Sequence, residues 1–239
     1  MLILALLAPG VICLVGAYLL LRSLGIRYRV GRLLAAAPTV DIAQAVALAQ
    51  RRPKYVKVSG RISSDEEFPD DNERPLVFRR KRIQVEDGKG GWRTLAEENE
   101  AVPFGVETRD EFIAVDESAI SDGLVAIPRE AAGKLSDLPA DLVDGIEDLP
   151  PADTPARLLI EQLSAVEHAT VCGTPVMRNG QPTMTAGLRR PLVITILAPP
   201  EAMRLLATGN RPRVLAAAAL IIVAAGFGVA TLVAVIAGY

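Results

Sequence analysis

The sequence predicts an α+β protein in which two transmembrane helices flank a β-rich soluble domain that also holds a few short helices. The first observation is the distribution of charge: every Asp, Glu, Lys and Arg lies between Arg22 and Arg213. The uncharged stretches outside this window, Met1–Leu21 and Val214–Tyr239, both exceed the roughly 20 apolar residues that cross a bilayer. The second observation is that the charged middle contains several short alternating segments separated by turns, which favours a small barrel or a sandwich.

The charge distribution also predicts the domain boundaries and the orientation. No basic residue precedes the first apolar stretch and four arginines follow it within residues 22–32, which indicates an uncleaved anchor rather than a secretory signal. Basic residues near membrane spans stay on the cytoplasmic side, so we expect a multi-pass cell-membrane protein with a cytoplasmic middle domain and both termini outside. The predicted segments are transmembrane helix 1 (1–21), a basic juxtamembrane segment and helix (22–53), the β-rich domain (54–200), a second juxtamembrane segment (201–213) and transmembrane helix 2 (214–238).

The soluble part begins with a predicted helix and continues with strands. Thr39 is typical of a helix N-cap, with Asp41 in the first turn, and Pro53 would end the helix. The segment "KYVKVSGRIS" (54–63) then alternates in the manner of a half-buried strand. Two hairpins follow, the first with its turn at Asp87-Gly88. We expect strands in the segments 75–87, 92–97, 101–108, 111–116 and 123–128.

The last third of the soluble part contains an acidic insert, a predicted helix and a further hairpin. Residues 136–153 carry six acids, no base and several prolines, which indicates either an exposed linker or a covering loop. The segment "TPARLLIEQL" (154–163) predicts a short helix, with Thr154 as N-cap and Pro155 at the first helical position. Strands at 167–176 and 191–199, with an Asn179-Gly180 turn after the first, complete the domain.

One phrase occurs twice in the chain. A Val-x-Gly, ending at Gly60 and again at Gly173, is followed 14 and 17 residues later by Arg-Pro-Leu-Val. Each return strand begins with Pro, which belongs at the start or the edge of a strand. We expect Gly60 and Gly173 where a strand bends or where another backbone approaches closely. A strand–turn–strand unit used twice and a chance similarity between β-rich segments both fit this pattern.

Four consecutive cations, Arg79, Arg80, Lys81 and Arg82, interrupt a predicted strand. Strand alternation sends the first and third of them to one face and the second and fourth to the other. One pair must therefore lie on the core side, unless the strand bulges or runs out past the rim of the domain.

The cation run has several interpretations. An exposed strand end paired with the nearby acids Glu86 and Glu107 needs no ligand. Contact with anionic lipid headgroups or with a protein partner fits the concentration of bases near the membrane, where nine bases face one acid between Arg22 and Arg61. We expect no nucleic-acid partner, because the net charge is −2 and few aromatic residues are present for stacking.

The sequence offers little catalytic chemistry. The one histidine, His168, is four residues from Cys172 on a predicted strand, where such a pair shares a face but lies more than about 12 Å apart. No Gly-x-Ser-x-Gly elbow or phosphate-binding loop occurs. The acids within residues 65–73 do not fit an EF-hand loop, and a solvated loop is the simpler interpretation. We expect no catalytic residue, no metal site and no cofactor; a hydrolase centred on His168 is the alternative.

Five features occur in an order that is more specific than any one of them. They are the Val-Ser-Gly ending at Gly60, the β segment Leu76–Val85, Trp92, the block "VPFGVETRDEFIAVD" (102–116) and "ATVCG" (169–173). Together they resemble the GIDE domain, which lies between two membrane spans in the MULAN-type ubiquitin ligases of the mitochondrial outer membrane. The domain also occurs in bacterial and archaeal membrane proteins. The resemblance implies a prokaryotic-type member that presents a β-rich domain beside a membrane.

The chain departs from the GIDE-containing ligases in one decisive respect. Those ligases carry a RING finger after the second span, and a RING needs about eight Cys and His ligands for two zinc ions. This sequence has Cys13, Cys172 and His168 in total. We therefore expect a non-catalytic, membrane-anchored binding or scaffold protein. The alternative that the resemblance implies is a ubiquitin-ligase-family protein that acts only with a separate catalytic partner.

Overall fold

The chain folds into two compact units, one helical and one rich in β-structure. The helical unit comprises Met1–Ala35 and Met203–Tyr239, and the β unit comprises Ala36–Ala202. The computed structural model describes residues 2–22, 25–88, 90–139, 142, 146, 149–207 and 211–236. The described α-helices of five residues or more are α1 (Leu2–Arg22), α2 (Ile26–Ala36), α3 (Ile42–Arg51), α4 (Pro199–Ala207) and α5 (Arg211–Ile236).

The helical unit is built on an antiparallel pair, α1 and α5, whose contact surface contains small residues. A Cβ atom added at Gly10 would lie 3.3 Å from the Cβ of Phe227, and one at Gly16 would lie 3.4 Å from the Cδ1 of Leu220. The two helices therefore approach closely, as small residues at a helix interface allow. Further small side chains buried in these two helices are Ala17, Ala217, Ala224 and Thr231.

Large apolar side chains lie on the outside of the same two helices. Ile12 of α1 is 70% exposed and Ile222 of α5 is 73% exposed. A soluble helical hairpin shows the opposite arrangement, because it buries its large apolar side chains in the contact between the helices. The other exposed large apolar side chains here include Val11, Leu14, Val15, Leu19, Leu215, Ile221, Val223, Val229, Leu232 and Val235.

The α+β class is confirmed, but the two predicted spans are not equally supported. Among the described residues, one helix is long and apolar enough to cross a bilayer, through the segment Leu215–Leu232 of α5. In α1 the described part of the apolar stretch is Ala8–Leu21, which by itself is shorter than a span requires. Length and composition alone therefore do not support a second membrane-spanning helix.

The described strands of the β unit form two sheets. Short 3-10 helices at Glu117–Ala119 and Leu135–Asp137 lie between strands. In chain order the strands are β1 (Val56–Ser63), β2 (Phe68–Pro69), β3 (Pro75–Glu86), β4 (Trp92–Ala101), β5 (Phe104–Glu107), β6 (Phe112–Val115), β7 (Leu124–Val125), β8 (Arg129–Lys134), β9 (Pro155–Ser164), β10 (His168–Arg178), β11 (Gln181–Thr185) and β12 (Val193–Thr195).

Five strands of the first sheet close into a ring. β1 pairs with β5, β5 with β6, β6 with β11, β11 with β10, and β10 pairs back with β1. β12 and β7 extend this sheet from β10. The closed arrangement agrees with the expected small barrel. Its apolar core includes Ile42 and Ala45 of α3 together with Val58, Ile113, Val171 and Met184 of the ring.

β3 is the centre of the second sheet, which is open. β2 pairs with the first residues of β3, and β4 pairs with the rest of the same edge. β9 pairs with the other edge of β3, and β8 lies beyond β9. The first apolar residues of β3 are buried, and Val77 and Phe78 belong to the same core that fills the ring. The cation run follows directly, so one strand passes from an apolar to an ionic environment.

The helix predicted at 154–163 is wrong. Pro155–Ser164 is β9, an interior strand of the open sheet between β3 and β8. Its residues have a fair helix propensity, but pairing with β3 places Glu161 opposite Arg80, and such tertiary contacts override local propensity. Pro155 is compatible with either state, because proline also suits the first residue of a strand.

The predicted start of the first soluble helix is displaced by two residues. The N-cap of α3 is Asp41, whose carboxylate accepts a hydrogen bond from the Gln44 N–H at 2.6 Å. Thr39, the predicted cap, instead forms a β-bridge to Lys57. The predicted end is confirmed, since α3 stops at Arg51, two residues before the proline.

Two predicted hairpins are confirmed, because β3 pairs with β4 and β5 pairs with β6. The Asn179-Gly180 turn is also present, but the strand that follows it is β11, which pairs with β10 and, like β8, has no counterpart among the predictions. The acidic insert 136–153 lies partly outside the described residues. Its described ends are joined, because the Ser136 N–H donates to the Ala152 carbonyl at 3.0 Å, and Leu138 packs on the cluster around Val85. In these residues the insert is a covering loop rather than a free linker.

The two Val-x-Gly segments lie side by side, with Val58 opposite Val171 in the β1–β10 pair. The strands that follow their Arg-Pro-Leu-Val sequences have different positions. β12 returns to pair with β10, whereas β3 leaves the ring and forms the open sheet. The two occurrences of the phrase therefore do not build the same strand–turn–strand unit.

Candidate functional site

The cation run lies in the middle of β3, with β4 on one side and β9 on the other. The expected alternation is present, and the core-facing pair consists of Arg80 and Arg82. Glu161 of β9 stands directly opposite Arg80 in the strand register. Arg80 is only 2% exposed, so its charge is buried.

Glu161 binds both arginines of this pair, and we name the three residues the buried triad. The Nε and Nη2 atoms of Arg80 lie 2.8 and 2.7 Å from Oε2 of Glu161, and Nη2 of Arg82 lies 2.9 Å from the same oxygen. Arg80 also donates to the Ser121 carbonyl at 2.6 Å. A buried charge is tolerated only when it is paired and hydrogen-bonded, and Glu161 meets that requirement for two cations. The buried Nε of Arg82 makes no hydrogen bond within the described part of the chain.

The other face of the run makes ion pairs with exposed glutamates. Arg79 pairs with Glu100 at 2.5 Å, and its guanidinium lies 5.4 Å from the centre of the Phe68 ring. Lys81 is 3.7 Å from Glu98, a glutamate that is 64% exposed. A long and exposed pair such as Lys81–Glu98 contributes little to stability, about 0–1 kcal/mol.

The acids predicted to pair with the cations are the wrong ones. Glu86 stands at the end of β3 opposite Trp92, and Glu107 stands opposite Arg61 in the ring. The cations instead bind glutamates of β4 and β9, because these are the strands that flank β3. Neighbours in sequence were therefore a poor guide to neighbours across the sheet.

The same geometry restricts the candidate headgroup contacts. Arg80 is enclosed by the buried triad and by the Ser121 carbonyl, so it is closed to an external ligand. Arg79, Lys81 and Arg82 retain side-chain exposures of 17%, 25% and 18%. Contact between these three residues and lipid headgroups or a partner stays a prediction.

The two singled-out glycines lie where backbones approach closely, as predicted. A Cβ atom at Gly60 would lie 2.5 Å from the carbonyl oxygen of Glu107. One at Gly173 would lie 2.8 Å from the carbonyl oxygen of Thr185. Both positions are in the ring, and both leave no room for a side chain.

His168 and Cys172 do not form a common site in the described structure. His168 is exposed at the start of β10, whereas Cys172 is fully buried. Burial raises the pKa of the Cys172 thiol to about 12, so the reactive thiolate is scarce at neutral pH. No group of three or more His, Cys, Asp or Glu side chains suited to a metal occurs among the described residues.

The acid-rich loop at 65–73 is organised by hydrogen bonds to Asp70. Its carboxylate accepts the backbone N–H groups of Asn72 and Arg74 at 2.7 and 2.9 Å, and the Arg74 guanidinium pairs with it at 2.7 Å. The hydrogen bond from the Arg74 backbone is the main cause that lowers the pKa of Asp70, against a smaller opposing effect of desolvation. This buried acid is thus satisfied mainly by residues that follow it in the chain, and Arg129 of β8 adds a longer ion pair at 3.6 Å.

Asp116 is a buried acid that the sequence analysis does not single out. Its Oδ2 accepts from the Thr185 hydroxyl and pairs with Arg178, both at 2.6 Å, and its Oδ1 accepts from the Ser118 hydroxyl at 2.6 Å. Desolvation by itself raises the pKa of Asp116, but the bonds from Ser118, Thr185 and Arg178 outweigh it and lower the pKa below its ordinary value. This carboxylate ties the end of β6 to the β10–β11 hairpin.

A tight turn at residues 187–190 is the second feature that the sequence analysis does not single out. The N–H of Gly187 donates to the Arg190 carbonyl at 2.9 Å, and the Arg190 N–H donates back to the Gly187 carbonyl at 3.1 Å. Arg189 has a φ of 58°, which is uncommon for a residue other than glycine. Leu188 at the tip is 98% exposed.

Comparison with protein-family models, curated proteins and solved structures finds no match to this chain.

Proposed function

We propose that this protein is a membrane-anchored, non-catalytic binding or scaffold protein that holds its β unit beside a bilayer. The observation that carries the proposal is the inverted packing of α1 and α5. Small side chains such as Ala224 are buried between the helices, while Ile12 and Ile222 are 70% and 73% exposed. Water does not favour so extensive an apolar surface, whereas lipid chains cover it, and small residues are typical of helix contacts in membranes.

The proposal includes α1 as a second span beside α5. α1 has 21 residues, which corresponds to about 30 Å of helix. An antiparallel pair that crosses the bilayer leaves both chain termini on one side. Arginines at the opposite ends, Arg22 on α1 with Arg211 and Arg213 on α5, favour the cytoplasm for those ends. The β unit would then be cytoplasmic and the termini would be outside.

The β unit is the proposed binding module. Its resemblance to the GIDE domain is supported by the order of the motifs between α1 and α5, and the block at 102–116 forms the β5–β6 hairpin and the Asp116 contacts. A second candidate function follows from the same block: a protein of the ubiquitin-ligase family that acts only with a separate catalytic partner.

Alkaline carbonate extraction of native membranes tests the anchor. We expect the full-length chain to stay in the membrane pellet, and reporters at the two tails to be accessible from outside the cell. Recovery of the intact chain in the supernatant would overturn the proposal.

The variant Ile222→Arg tests the packing argument with a matched control. An arginine at the centre of a span disfavours membrane insertion by about 2.5–3.5 kcal/mol, whereas an arginine on a water-exposed helix is harmless. We expect Ile222→Arg to reduce the membrane-integrated fraction strongly. Met203→Arg is the control, because Met203 is 41% exposed on α4, outside the apolar segment. Equal integration of both variants would contradict lipid exposure of Ile222.

A further inference from the structure

The turn at 187–190 presents a leucine on a rigid support. A single exposed leucine is ordinary, and by itself indicates nothing. Here the turn is closed by reciprocal hydrogen bonds between Gly187 and Arg190, and Arg189 has a positive φ. Such a conformation persists only where surrounding contacts enforce it, and it is concentrated at functional positions. The exposure of Leu188 is therefore a fixed property of the turn.

The contacts that hold the turn come from β10 and from Tyr55, the residue before β1. The Tyr55 hydroxyl donates to the Pro191 carbonyl at 2.9 Å, and the guanidinium of Arg190 lies 5.4 Å from the centre of the Tyr55 ring. A Cβ atom at Gly187 would lie 2.6 Å from the Thr174 hydroxyl oxygen, so the turn also sits tightly against β10. Tyr55 itself is only 8% exposed. The tip is thus fixed to the β unit and cannot fold back to cover its leucine.

The surroundings of the turn are basic. Arg189 and Arg190 are exposed within the turn itself. Three further exposed bases, Arg51, Arg52 and Lys54, lie in the four residues that precede Tyr55. Two acids lie near the turn: Asp116, which accepts from the Thr185 hydroxyl and is paired with Arg178, and Asp122, next to the glycine that packs against the Leu192 carbonyl. Each base close to an anionic leaflet raises the affinity about five-fold.

The turn also lies at the end of the β unit where the chain arrives from α2. The Lys57 N–H donates to the Pro38 carbonyl at 2.9 Å, and the Val40 N–H donates to the Lys57 carbonyl at 2.9 Å. Lys57, on β1, is two residues after Tyr55, so the entering segment and the turn share one end of the ring. In the proposed function, that segment comes from a membrane span.

We propose that the turn Gly187–Arg190 is a membrane-contact tip, which inserts Leu188 into the interface of an anionic bilayer while the surrounding bases bind lipid phosphates. In this arrangement the apolar side chain reaches the acyl chains, while the cations around it lie at the depth of the anionic headgroups. The inference rests on the proposed function for the presence of the bilayer, and adds which part of the β unit meets it. Arg79, Lys81 and Arg82 are not needed for this contact.

The test places an environment-sensitive label at the tip of the full-length chain. Leu188→Cys, in a Cys13→Ala background, is labelled with the fluorophore NBD and reconstituted in nanodiscs of phosphatidylcholine with or without phosphatidylglycerol. Cys172 is fully buried, so the label goes to the new cysteine. Asn179→Cys is the matched control, since Asn179 also has a positive φ at an exposed turn, at the other end of β11.

We expect blue-shifted emission at position 188, and quenching by lipids spin-labelled near the top of the acyl chain several-fold greater than at position 179. Arg189→Ala should reduce the tip's occupancy of the anionic bilayer about five-fold. A blue shift without lipid quenching would indicate a protein contact and overturn the inference, as would equal quenching at both positions. A chain that reconstitutes but stays unquenched at 188 refutes only the tip. A chain that does not enter nanodiscs refutes the membrane anchor, and the tip with it.

Discussion

Strand β6 of the ring and strand β3 of the open sheet are each paired on two sides, but they bury side chains of opposite kinds. β6 contributes Ile113, which has no exposed surface, to a core made of hydrocarbon. β3 contributes Arg80, which is 2% exposed and bound to Glu161. Burial of apolar surface is favourable in itself, at about 25 cal/mol per Å². Burial of a charge is unfavourable unless its partner is in place.

This difference predicts which substitutions reduce the folding stability of each region. The ring loses stability in proportion to the volume that is removed from its core. The open sheet loses little when a whole ionic cluster is replaced by apolar residues, and much when one partner is left alone. Trp92, the one tryptophan of the chain, lies on β4 of the open sheet, so its fluorescence reports unfolding of the β unit in the detergent-solubilised chain.

The largest expected effect breaks the buried triad. Glu161→Gln leaves two arginines without their anion, and we expect a loss of about 3–5 kcal/mol in the free energy of unfolding, measured by urea denaturation. The control replaces all three charges by apolar residues, Arg80→Met, Glu161→Leu and Arg82→Met. It should be neutral or stabilising by about 1–4 kcal/mol. A loss below about 1 kcal/mol in the single variant would show that the pairing is unimportant.

The corresponding change in the ring creates a cavity. Ile113→Ala should reduce the free energy of unfolding by about 2–5 kcal/mol in the same urea experiment, because Ile113 is completely buried. The control is Ile127→Ala, at an isoleucine that is 66% exposed, where a change within about 0.5 kcal/mol is expected. Similar values for the two isoleucines would mean that the ring core is loosely packed.

An intermediate effect distinguishes the two regions by pH. Asp116 has a lowered pKa in the folded state, so its ionised form stabilises the ring above its ordinary pKa of about 4. That stability is lost as the pH falls through the folded-state pKa. Asp116→Asn should cost about 1–3 kcal/mol at neutral pH and should flatten the acid limb of the stability profile. An unchanged acid limb would show that other carboxylates govern it.

The smallest expected effect lies one residue from the triad. Lys81→Ala removes a surface pair with Glu98 and should change the free energy of unfolding by no more than about 1 kcal/mol. Arg80→Ala, at the adjacent position, leaves a buried carboxylate with half of its partners and should cost several-fold more. Equal costs at the two positions would remove the distinction between the faces of β3.

Local signals predicted the β3–β4 and β5–β6 hairpins and the Asn179-Gly180 turn correctly. The Asn179-Gly180 turn has φ values of 50° and 80°, which these two residue types adopt readily. Gly60 was predicted to lie where another backbone approaches closely, and this is confirmed. It lies in a strand, at a position where only glycine leaves room for the carbonyl oxygen of Glu107. These features depend on a few neighbouring residues, so they can be predicted from short segments of the sequence.

Long-range partners could not be predicted in the same way. The residues of β9 have a fair helix propensity, but the segment is a strand because it pairs with β3 and places Glu161 opposite Arg80. The same holds for the turn at 187–190, which is held by Tyr55, the residue before β1 and 136 positions from Pro191. Pairing of this kind depends on the whole topology and leaves no local pattern in either segment.

The closure of the ring has a consequence for synthesis of the protein. Ser59 of β1 meets Thr170 of β10, a partner 111 residues later in the chain. At about 5–20 residues per second, the ribosome needs on the order of 5–20 s to make the intervening segment. During that interval the nascent β1 carries an unmatched edge, which is the state in which chaperones bind and misassembly begins. The ring can therefore close only after β10 has left the ribosomal tunnel.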